Sequence, residues 1–455
     1  MGPMTDWSTD NVLALAPDSG SASAGQGLAS ARHWTGLGAS DRAIWGLCQG
    51  SGKNPYQTRI DLGEPAFKCS CPSRKFPCKH GLGLLLLYAS KKNAFPAGSE
   101  PDWVSEWLAG RSERVAAKVE KAKAAEEAQV DPKAQAKRAA QRQARVEQGV
   151  AECRTWLEDV VRTGLAGLQG DAVATCDRVA ARMVDAQAPG LAAAVRRVPE
   201  VMASGAGWEK RTLELLGRLH LLLAAAEKLG ELPPALAGDV RVALGYTQGK
   251  DEVLAGQGVA DRWTVIGQNF EHDDRGTSRR LWLWGSGTQR PALIADFAAG
   301  NQSFDLTLVP GMAFEGELAF FASGSPLRAL VKTRGDAAWS GSTFAPLEQH
   351  TIAANLQRCA AALSQNPWLL RWPLLLPATR LARAGDGWLL QQGGETLPLA
   401  PAFMRGLQLW RLLAATGGRP ATIIAEWDGL SAEPVGVFTA EQAARYIELV
   451  TRQAA

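Results

Sequence analysis

The sequence lacks any apolar run long enough for a membrane-spanning helix. Its longest apolar runs, at residues 82–88 and 221–226, fall well short of the about 18 residues that such a helix needs. Histidine is scarce, with five residues, and the seven cysteines are an odd number. Outside one cluster the cysteines are isolated in the sequence, which is typical of proteins from a reducing compartment. We therefore expect a cytoplasmic protein that does not cross a membrane.

Familiar catalytic motifs are also missing. The sequence contains no Gly-x-x-x-x-Gly-Lys-Ser/Thr phosphate loop, no Gly-x-Ser-x-Gly elbow and no His-Glu-x-x-His helix. The glycine pairs at 25 and 27 and at 81 and 83 lack the strand and the acidic residue of a dinucleotide site. We predict that the protein is not an enzyme, and no small-molecule substrate is indicated. An enzyme with an unrecognised carboxylate site in the C-terminal half is the less favoured alternative.

A large excess of charge of one sign is absent as well. The chain has 49 Lys and Arg against 46 Asp and Glu, a formal charge of +3. This charge is too small for general attraction to nucleic acid, so any nucleic-acid surface would have to be local. The 46% hydrophobic and 21% charged residues are those of an ordinary globular protein, and 455 residues allow two to four domains.

One short stretch concentrates metal-binding side chains. Residues 69–80 have the sequence Cys-Ser-Cys-Pro-Ser-Arg-Lys-Phe-Pro-Cys-Lys-His, with three thiols and one imidazole in twelve residues. This is a complete Cys3His ligand set for a tetrahedral structural zinc site. A six-residue loop separates the Cys-x-Cys pair from the Cys-x-His pair, so the pairs can meet at little entropic cost. The four predicted ligands are Cys69, Cys71, Cys78 and His80.

Two other interpretations of the cluster explain fewer of its residues. Two disulfides would require a fourth thiol and an oxidising compartment. A Cys–His catalytic dyad would leave two thiols without a role. We therefore predict one structural Zn2+. Cys48 lies outside the pattern, and we interpret it as a small buried side chain in a strand.

The pattern of Cys-x-Cys, a short loop and Cys-x-His resembles the SWIM-type zinc finger. In that family a short strand precedes the first cysteine pair, and Cys-x-His opens a helix. The surrounding sequence agrees, since residues 43–49 and 56–62 resemble strands and residues 81–89 an apolar helix. The resemblance covers residues 43–90 and implies that the four predicted ligands bind zinc here as in the family.

The resemblance also implies that the protein contacts a protein or a nucleic acid. Bacterial stand-alone members of the family are often encoded beside MoxR-type AAA ATPases and von Willebrand A-domain proteins, which implies an adaptor with such a partner. The leading hypothesis is a zinc-stabilised interaction protein. The alternative is a DNA- or RNA-binding protein that uses the basic surface of the finger, formed by Lys53, Arg59, Lys68, Arg74, Lys75, Lys79, Lys91 and Lys92. In a further hypothesis zinc only stabilises the N-terminal domain, and the C-terminal half carries the function.

We predict an α+β, multidomain protein. It has a zinc-stapled β-hairpin plus helix at the N-terminus, a helical middle, an antiparallel β-rich region and a mixed α/β C-terminus. The predicted divisions are a flexible N-terminal segment at 1–32, a SWIM-type zinc-binding domain at 33–110, a charged helical linker at 111–148, a helical domain at 149–235, an antiparallel β-rich domain at 240–335 and a mixed α/β region at 336–455.

Two predictions within the helical regions depend on charge and periodicity. The segment 111–148 carries ten basic and six acidic residues, and we interpret it as a solvated helical linker. The alternative is a basic arm for nucleic acid, because Lys137, Arg138, Arg142 and Arg145 lie near its end. Residues 211–223 are predicted to form a buried helix, with His220 as a hydrogen-bonded core residue.

Overall fold

The architecture is α+β, with helices and three antiparallel sheets, as predicted. The computed structural model describes residues 7, 9–13, 15–16, 19–50, 54–62, 66–73, 77–110, 132–168, 170–205, 207–273, 276–299, 304, 308–339, 350–385, 387–438 and 446–449. Residues 304–308 alternate apolar and polar side chains, a pattern that predicts a strand, and they lie largely outside the described residues. Within the described residues, no helix has both the length and the apolar character needed to cross a membrane.

The first sheet is a four-stranded antiparallel meander that carries the predicted zinc ligands. Its strands, in spatial order, are β1 (Trp34–Ala39), β2 (Ala43–Cys48), β3 (Tyr56–Asp61) and β4 (Ala66–Cys69). Helix α3 (Lys79–Ser90) packs on one face, and the nine consecutive residues from His80 to Tyr88 are all buried. This helix is therefore the centre of the N-terminal core.

The segment predicted to be flexible contains two helices that complete this core. They are α1 (Thr9–Leu13) and α2 (Ser19–Leu28). The side chains of Trp7, Val12 and Leu15 share one hydrophobic cluster with α3, and this burial explains the difference from the prediction. Helices α2 and α3 approach closely, because a Cβ added at Gly83 would lie 2.7 Å from Leu28 Cβ and 3.2 Å from the Gly25 carbonyl oxygen.

A short helix, α4 (102–110), contacts the same sheet through a second cluster. Val104 and Leu108 are buried against Ala43 and Trp45 of β2. Trp103 and Trp107 are spaced at i and i+4, a pattern that predicts a short helix packed on the finger, and the structure confirms it. The sheet is thus covered by α3 and contacted by α4 through separate hydrophobic clusters.

The middle of the chain is a helical bundle. Its helices are α5 (Pro132–Thr163), α6 (Ala172–Asp185), α7 (Pro189–Met202), α8 (Trp208–Glu227) and α9 (Pro234–Leu244). Helix α5 runs without interruption through residue 148, where the sequence predicted a boundary between linker and domain. His220 of α8 is exposed and not in the core, because the helix is amphipathic and turns Leu216, Leu219 and Leu223 inward.

Helix α10 (Lys250–Ala255) leads into the second sheet, which curls on itself. Its strands are β5 (Gly258–Asp273), β6 (Gly276–Gly285), β7 (Pro291–Ala299), β8 (Met312–Phe320), β9 (Ala329–Arg334) and β10 (Ala338–Trp339). A bridge between Leu293 of β7 and Arg328, just before β9, joins the two sides of the curled sheet. The enclosed core contains Trp263 and Phe314.

The third sheet and its helices form the C-terminal part. The strands are β11 (Trp372–Ala384), β12 (Gly387–Gln392), β13 (Glu395–Pro398), β14 (Ala421–Trp427), β15 (Ala432–Phe438) and β16 (Tyr446–Glu448). The helices are α11 (Ile352–Gln365), α12 (Pro401–Arg405) and α13 (Leu407–Thr416). The largest hydrophobic cluster joins this sheet to Ile266 and Trp282 of the second sheet.

Candidate metal centre

Three local elements bring the four predicted ligands together. Cys69 is the last residue of β4, which pairs with β3 so that Cys69 lies opposite Thr58. Cys71 follows in the loop, Cys78 is the N-cap of α3 and His80 lies in its first turn. The ligands therefore come from a hairpin end and a helix start, the arrangement implied by the family resemblance.

The separations of the ligand atoms are close to those of a tetrahedral zinc site. All four lie within 4.8 Å of one another. His80 Nδ1 is 3.8 Å from Cys69 Sγ and 4.0 Å from Cys78 Sγ. Zinc–sulfur bonds of about 2.3 Å and a zinc–nitrogen bond of about 2.0 Å place neighbouring ligand atoms roughly 3.5–3.8 Å apart. The residues fit one structural Zn2+, with His80 facing the thiols through Nδ1.

Neighbouring groups support the ligands in ways that sequence analysis missed. Thr58 is fully buried, and its Oγ1 lies 3.3 Å from Cys69 Sγ, where the hydroxyl can donate a hydrogen bond to the thiolate. The backbone N–H of Gly81 donates to Cys78 Sγ at 3.5 Å. The ring of Tyr56 packs 5.0 Å from that of His80. The sequence indicates only that Tyr56 and Thr58 lie on the same face of β3. That this face adjoins the zinc ligands becomes clear only once the register of β3 with β4 is known.

The thiols and the imidazole perturb one another's ionisation. Hydrogen bonds from Cys69 and Cys78 lower the pKa of the Cys71 thiol, whereas the corresponding bonds raise the pKa of Cys78. Burial alone would lower the pKa of His80, but hydrogen bonds with Cys69 and Cys71 raise it to about 9. The cluster thus concentrates negative charge, which a divalent cation compensates.

Cys48 is buried, as predicted, and does not belong to the four-residue ligand cluster. Burial raises the pKa of its thiol, and the nearby Cys69 adds to the effect. Cys48 therefore acts as an apolar core residue at the end of β2.

Five of the eight residues proposed for nucleic-acid contact lie within the described residues, and two of them, Arg59 and Lys68, are paired across β3 and β4. Lys53, Arg74 and Lys75 lie outside the described residues. The guanidinium of Arg59 lies 5.1 Å from the ring centre of Trp103 and 5.7 Å from that of Trp107, both on α4. The remaining four predicted residues are exposed. Lys68 lies on β4, Lys79 begins α3, and Lys91 and Lys92 follow its last residue.

Two family models match parts of the chain. One, described as the SWIM zinc finger, matches residues 59–89, which contain all four ligands. The other, described as a SWIM-associated four-helix bundle domain, matches residues 141–244, from within α5 to the end of α9. No curated protein and no solved structure matches the chain. The first match confirms the predicted resemblance, and the second connects the helical bundle with the same family.

Proposed function

Because the chain is a SWIM-type zinc finger protein with one structural zinc site, we propose that it is a non-catalytic adaptor that binds a protein partner. In this role the zinc ion stabilises the N-terminal domain and takes no part in a reaction. The protein acts in the reducing cytoplasm, where its seven cysteines remain thiols.

The composition of the metal centre supports a structural role. Catalytic zinc sites keep one coordination position for water or substrate, whereas structural sites are closed by four protein ligands. Here Cys69, Cys71, Cys78 and His80 supply four ligands. Cys78 and His80 are buried, which also restricts access of a substrate to the ion.

The placement of α3 argues against nucleic-acid reading by the finger. A recognition helix must present side chains to a groove, but nine consecutive residues of α3 are buried. Lys79 and Lys91 lie at opposite ends of this helix, about 18 Å apart along its axis. Burial lowers the pKa of Arg59, whose guanidinium packs on α4. These features favour protein contact over nucleic-acid reading by α3.

Helix α13 carries the observation on which protein binding rests. Leu407 and Trp410 are 73% and 64% exposed, and their i, i+3 spacing places them on one face of the helix. Exposed tryptophan and leucine side chains of this kind are typical of interface anchors. The sequence between Glu395 and Glu426 contains three arginines and no acidic residue. The surface thus suits a protein partner that has an apolar pocket rimmed by acidic residues.

Purified binding partners provide the test. The full-length zinc-loaded protein is titrated with the MoxR-type AAA ATPase and the von Willebrand A-domain protein of the same organism, the partners that the family resemblance implies. We expect one of them to bind, and Trp410→Ala to weaken this binding about 30-fold, as for an interface hot spot. Phe297→Ala removes another half-exposed aromatic side chain, on β7, and serves as the control.

Two outcomes would reject the proposal. Binding that is insensitive to both Leu407→Ala and Trp410→Ala would remove α13 from the interface. Sedimentation of the protein alone gives the second test. A dimer that dissociates in Trp410→Ala would show that a second copy of the chain covers α13, in place of a different partner.

A further inference from the structure

The first turns of α5 are rich in basic residues. Between Pro132 and Val146 the sequence has five basic residues and no acidic residue. Residues 136–141 are all exposed, and the bundle core begins only at Val146. Arg138 and Arg142 are like charges at i, i+4 on one helix face, so this composition does not serve the stability of the helix. A bound anion would offset these charges.

A cleft lies beside these residues. It has a volume of about 550 Å3 and is lined by Arg138, Ala139, Ala140, Arg142, Gln143 and Tyr246. Tyr246 follows α9, so the cleft is formed by two elements that are distant in sequence. The cleft is therefore a product of the folded bundle and not of α5 alone.

Arg142 is held in place across this cleft. Its guanidinium lies 4.3 Å from the ring centre of Tyr246, and its Nη2 donates to the carbonyl oxygen of Gly245 at 3.3 Å. The Tyr246 hydroxyl donates to Gln143 Oε1 at 2.8 Å, which orients the ring. A guanidinium stacked in this way keeps donors for an anion and loses little conformational entropy when it binds.

The arginines also have a suitable spacing. Arg138, Arg142 and Arg145 follow one another at i, i+4 and i+7, so they share one helix face over about 10 Å. One strand of duplex DNA carries a phosphate every 3.4 Å or so along its axis, and about three phosphates match this span. Exposed Lys137 and Arg241 add positive charge near the cleft, and exposed Glu147, which accepts a hydrogen bond from Gln143, offsets part of it.

From these features we infer that the cleft between α5 and Tyr246 binds the phosphodiester backbone of a nucleic acid. An acidic protein fits less well, because protein interfaces require apolar anchors. Among the described residues, the exposed large apolar side chains of α5 begin only at Val161, far from the cleft, and the end of α9 adds only the half-exposed Val242. The cleft includes two arginines, which recognise phosphate, and a tyrosine, a type of side chain that stacks on bases. This surface is independent of α13 and of the finger.

The inference is tested with the full-length zinc-loaded protein and labelled single-stranded DNA, duplex DNA and single-stranded RNA. Fluorescence anisotropy is recorded from about 50 to 200 mM salt, the range over which phosphate contacts weaken strongly. We expect binding that decreases with salt. The three nucleic acids share the phosphodiester chemistry, and their relative affinities identify which form the cleft prefers.

The decisive variant is Arg138→Ala/Arg142→Ala. It should weaken binding about tenfold or more and reduce the salt slope by roughly 0.9 for each duplex phosphate that the variant no longer neutralises. The matched control is Arg178→Ala/Arg182→Ala, which removes two exposed arginines at the same i, i+4 spacing from α6. Tyr246→Phe keeps the stacked ring and removes only its hydroxyl, so it should weaken binding less than the double variant.

Three results would overturn the inference. One is absence of binding to all three nucleic acids at the lowest salt. Another is equal binding by the double variant and its control, which would place the phosphate-binding residues elsewhere. The third is competition by poly-glutamate as strong as that by nucleic acid at equal charge, which would indicate a docking surface for acidic protein.

Discussion

The zinc module and the junction between the two C-terminal sheets both bury polar groups, but they assemble them differently. The four zinc ligands lie within twelve consecutive residues. The junction is built around Glu426, which is fully buried and accepts hydrogen bonds from Arg280, Trp282 and Asn269, 144 to 157 residues away in sequence. A local cluster can form with a small hairpin and a metal ion, whereas the junction requires two complete sheets.

Two buried histidines, one in the zinc module and one in the C-terminal part, have pKa values that are shifted in opposite directions. The thiols around His80 raise the pKa of its imidazole to about 9 despite burial. Burial, reinforced by the charge of Arg358, lowers the pKa of His350 to about 4. Arg358 Nη1 lies 3.2 Å from His350 Nδ1, and because arginine can only donate, this nitrogen must accept. The zinc module therefore attracts positive charge, while the site of His350 excludes it.

Loss of a zinc ligand should have the largest effect, and it should be confined to the zinc module. We expect Cys78→Ser to release zinc and unfold residues 40–95, because structural zinc contributes about 10–16 kcal/mol to coupled binding and folding. The C-terminal sheets should stay folded, since Glu426 and its partners contain no zinc ligand. Metal analysis and hydrogen exchange, followed segment by segment, measure both effects.

The matched control is Cys153→Ser, which alters a buried thiol in the helical bundle and should leave zinc bound. Retention of one zinc per chain in Cys78→Ser would refute the ligand assignment. Unfolding of the C-terminal sheets together with the finger would show that the two regions are not independent.

Removal of the buried Glu426 carboxylate should produce the next largest effect. It should destabilise the junction of the C-terminal sheets and leave the zinc module intact. Burial disfavours the ionised form, but hydrogen bonds and the charge of Arg280 keep the pKa of Glu426 below its usual range. Glu426→Ala removes the acceptor of buried Trp282 and Asn269 and one of the two carboxylate partners of half-buried Arg280, which should cost about 3–5 kcal/mol in the free energy of unfolding. Denaturant unfolding measures the loss, and the zinc content should not change.

Glu315→Ala is the control for this variant, because Glu315 forms an exposed ion pair with Arg262 and should cost less than about 1 kcal/mol. Equal stability of the two variants would mean that the junction does not depend on its buried carboxylate.

A smaller and pH-dependent effect is expected at His350. Its folded-state pKa of about 4 lies below the unfolded value of about 6.5. Below about pH 6.5 the unfolded chain therefore binds a proton that the folded protein does not bind. The contribution of neutral His350 to the free energy of unfolding is present above pH 6.5 and is lost as the pH falls towards 4. The loss amounts to at most about 3 kcal/mol.

His350→Gln removes this titration, so its stability should depend less on pH between 6.5 and 4 than that of the unmodified protein. Unfolding in denaturant at several pH values makes the comparison, with His220→Gln as the control because His220 is exposed. Parallel pH profiles for all three proteins would show that His350 is not protected from protonation.

The sequence predicted the fold best where neighbouring residues decide the structure. The ligands Cys69 to His80, the strands β2 and β3 and the helix α4 followed from spacing and alternation alone. The prediction failed for α1 and α2, because a segment rich in glycine, serine and alanine resembles a flexible tail until its few large side chains find α3. It also failed for His220, since leucines occur all around α8 and only bundle packing shows which of them face inward.

The sequence by itself determined the chemistry of the zinc site, because all four ligands lie within one hairpin loop and helix start that metal binding can close. Only the tertiary structure decided where the remaining polar groups act. Thr58 reaches Cys69 through strand register, and Arg142 reaches Tyr246 through helix packing. Such contacts depend on positions that long-range packing sets, and side-chain identity alone does not contain them.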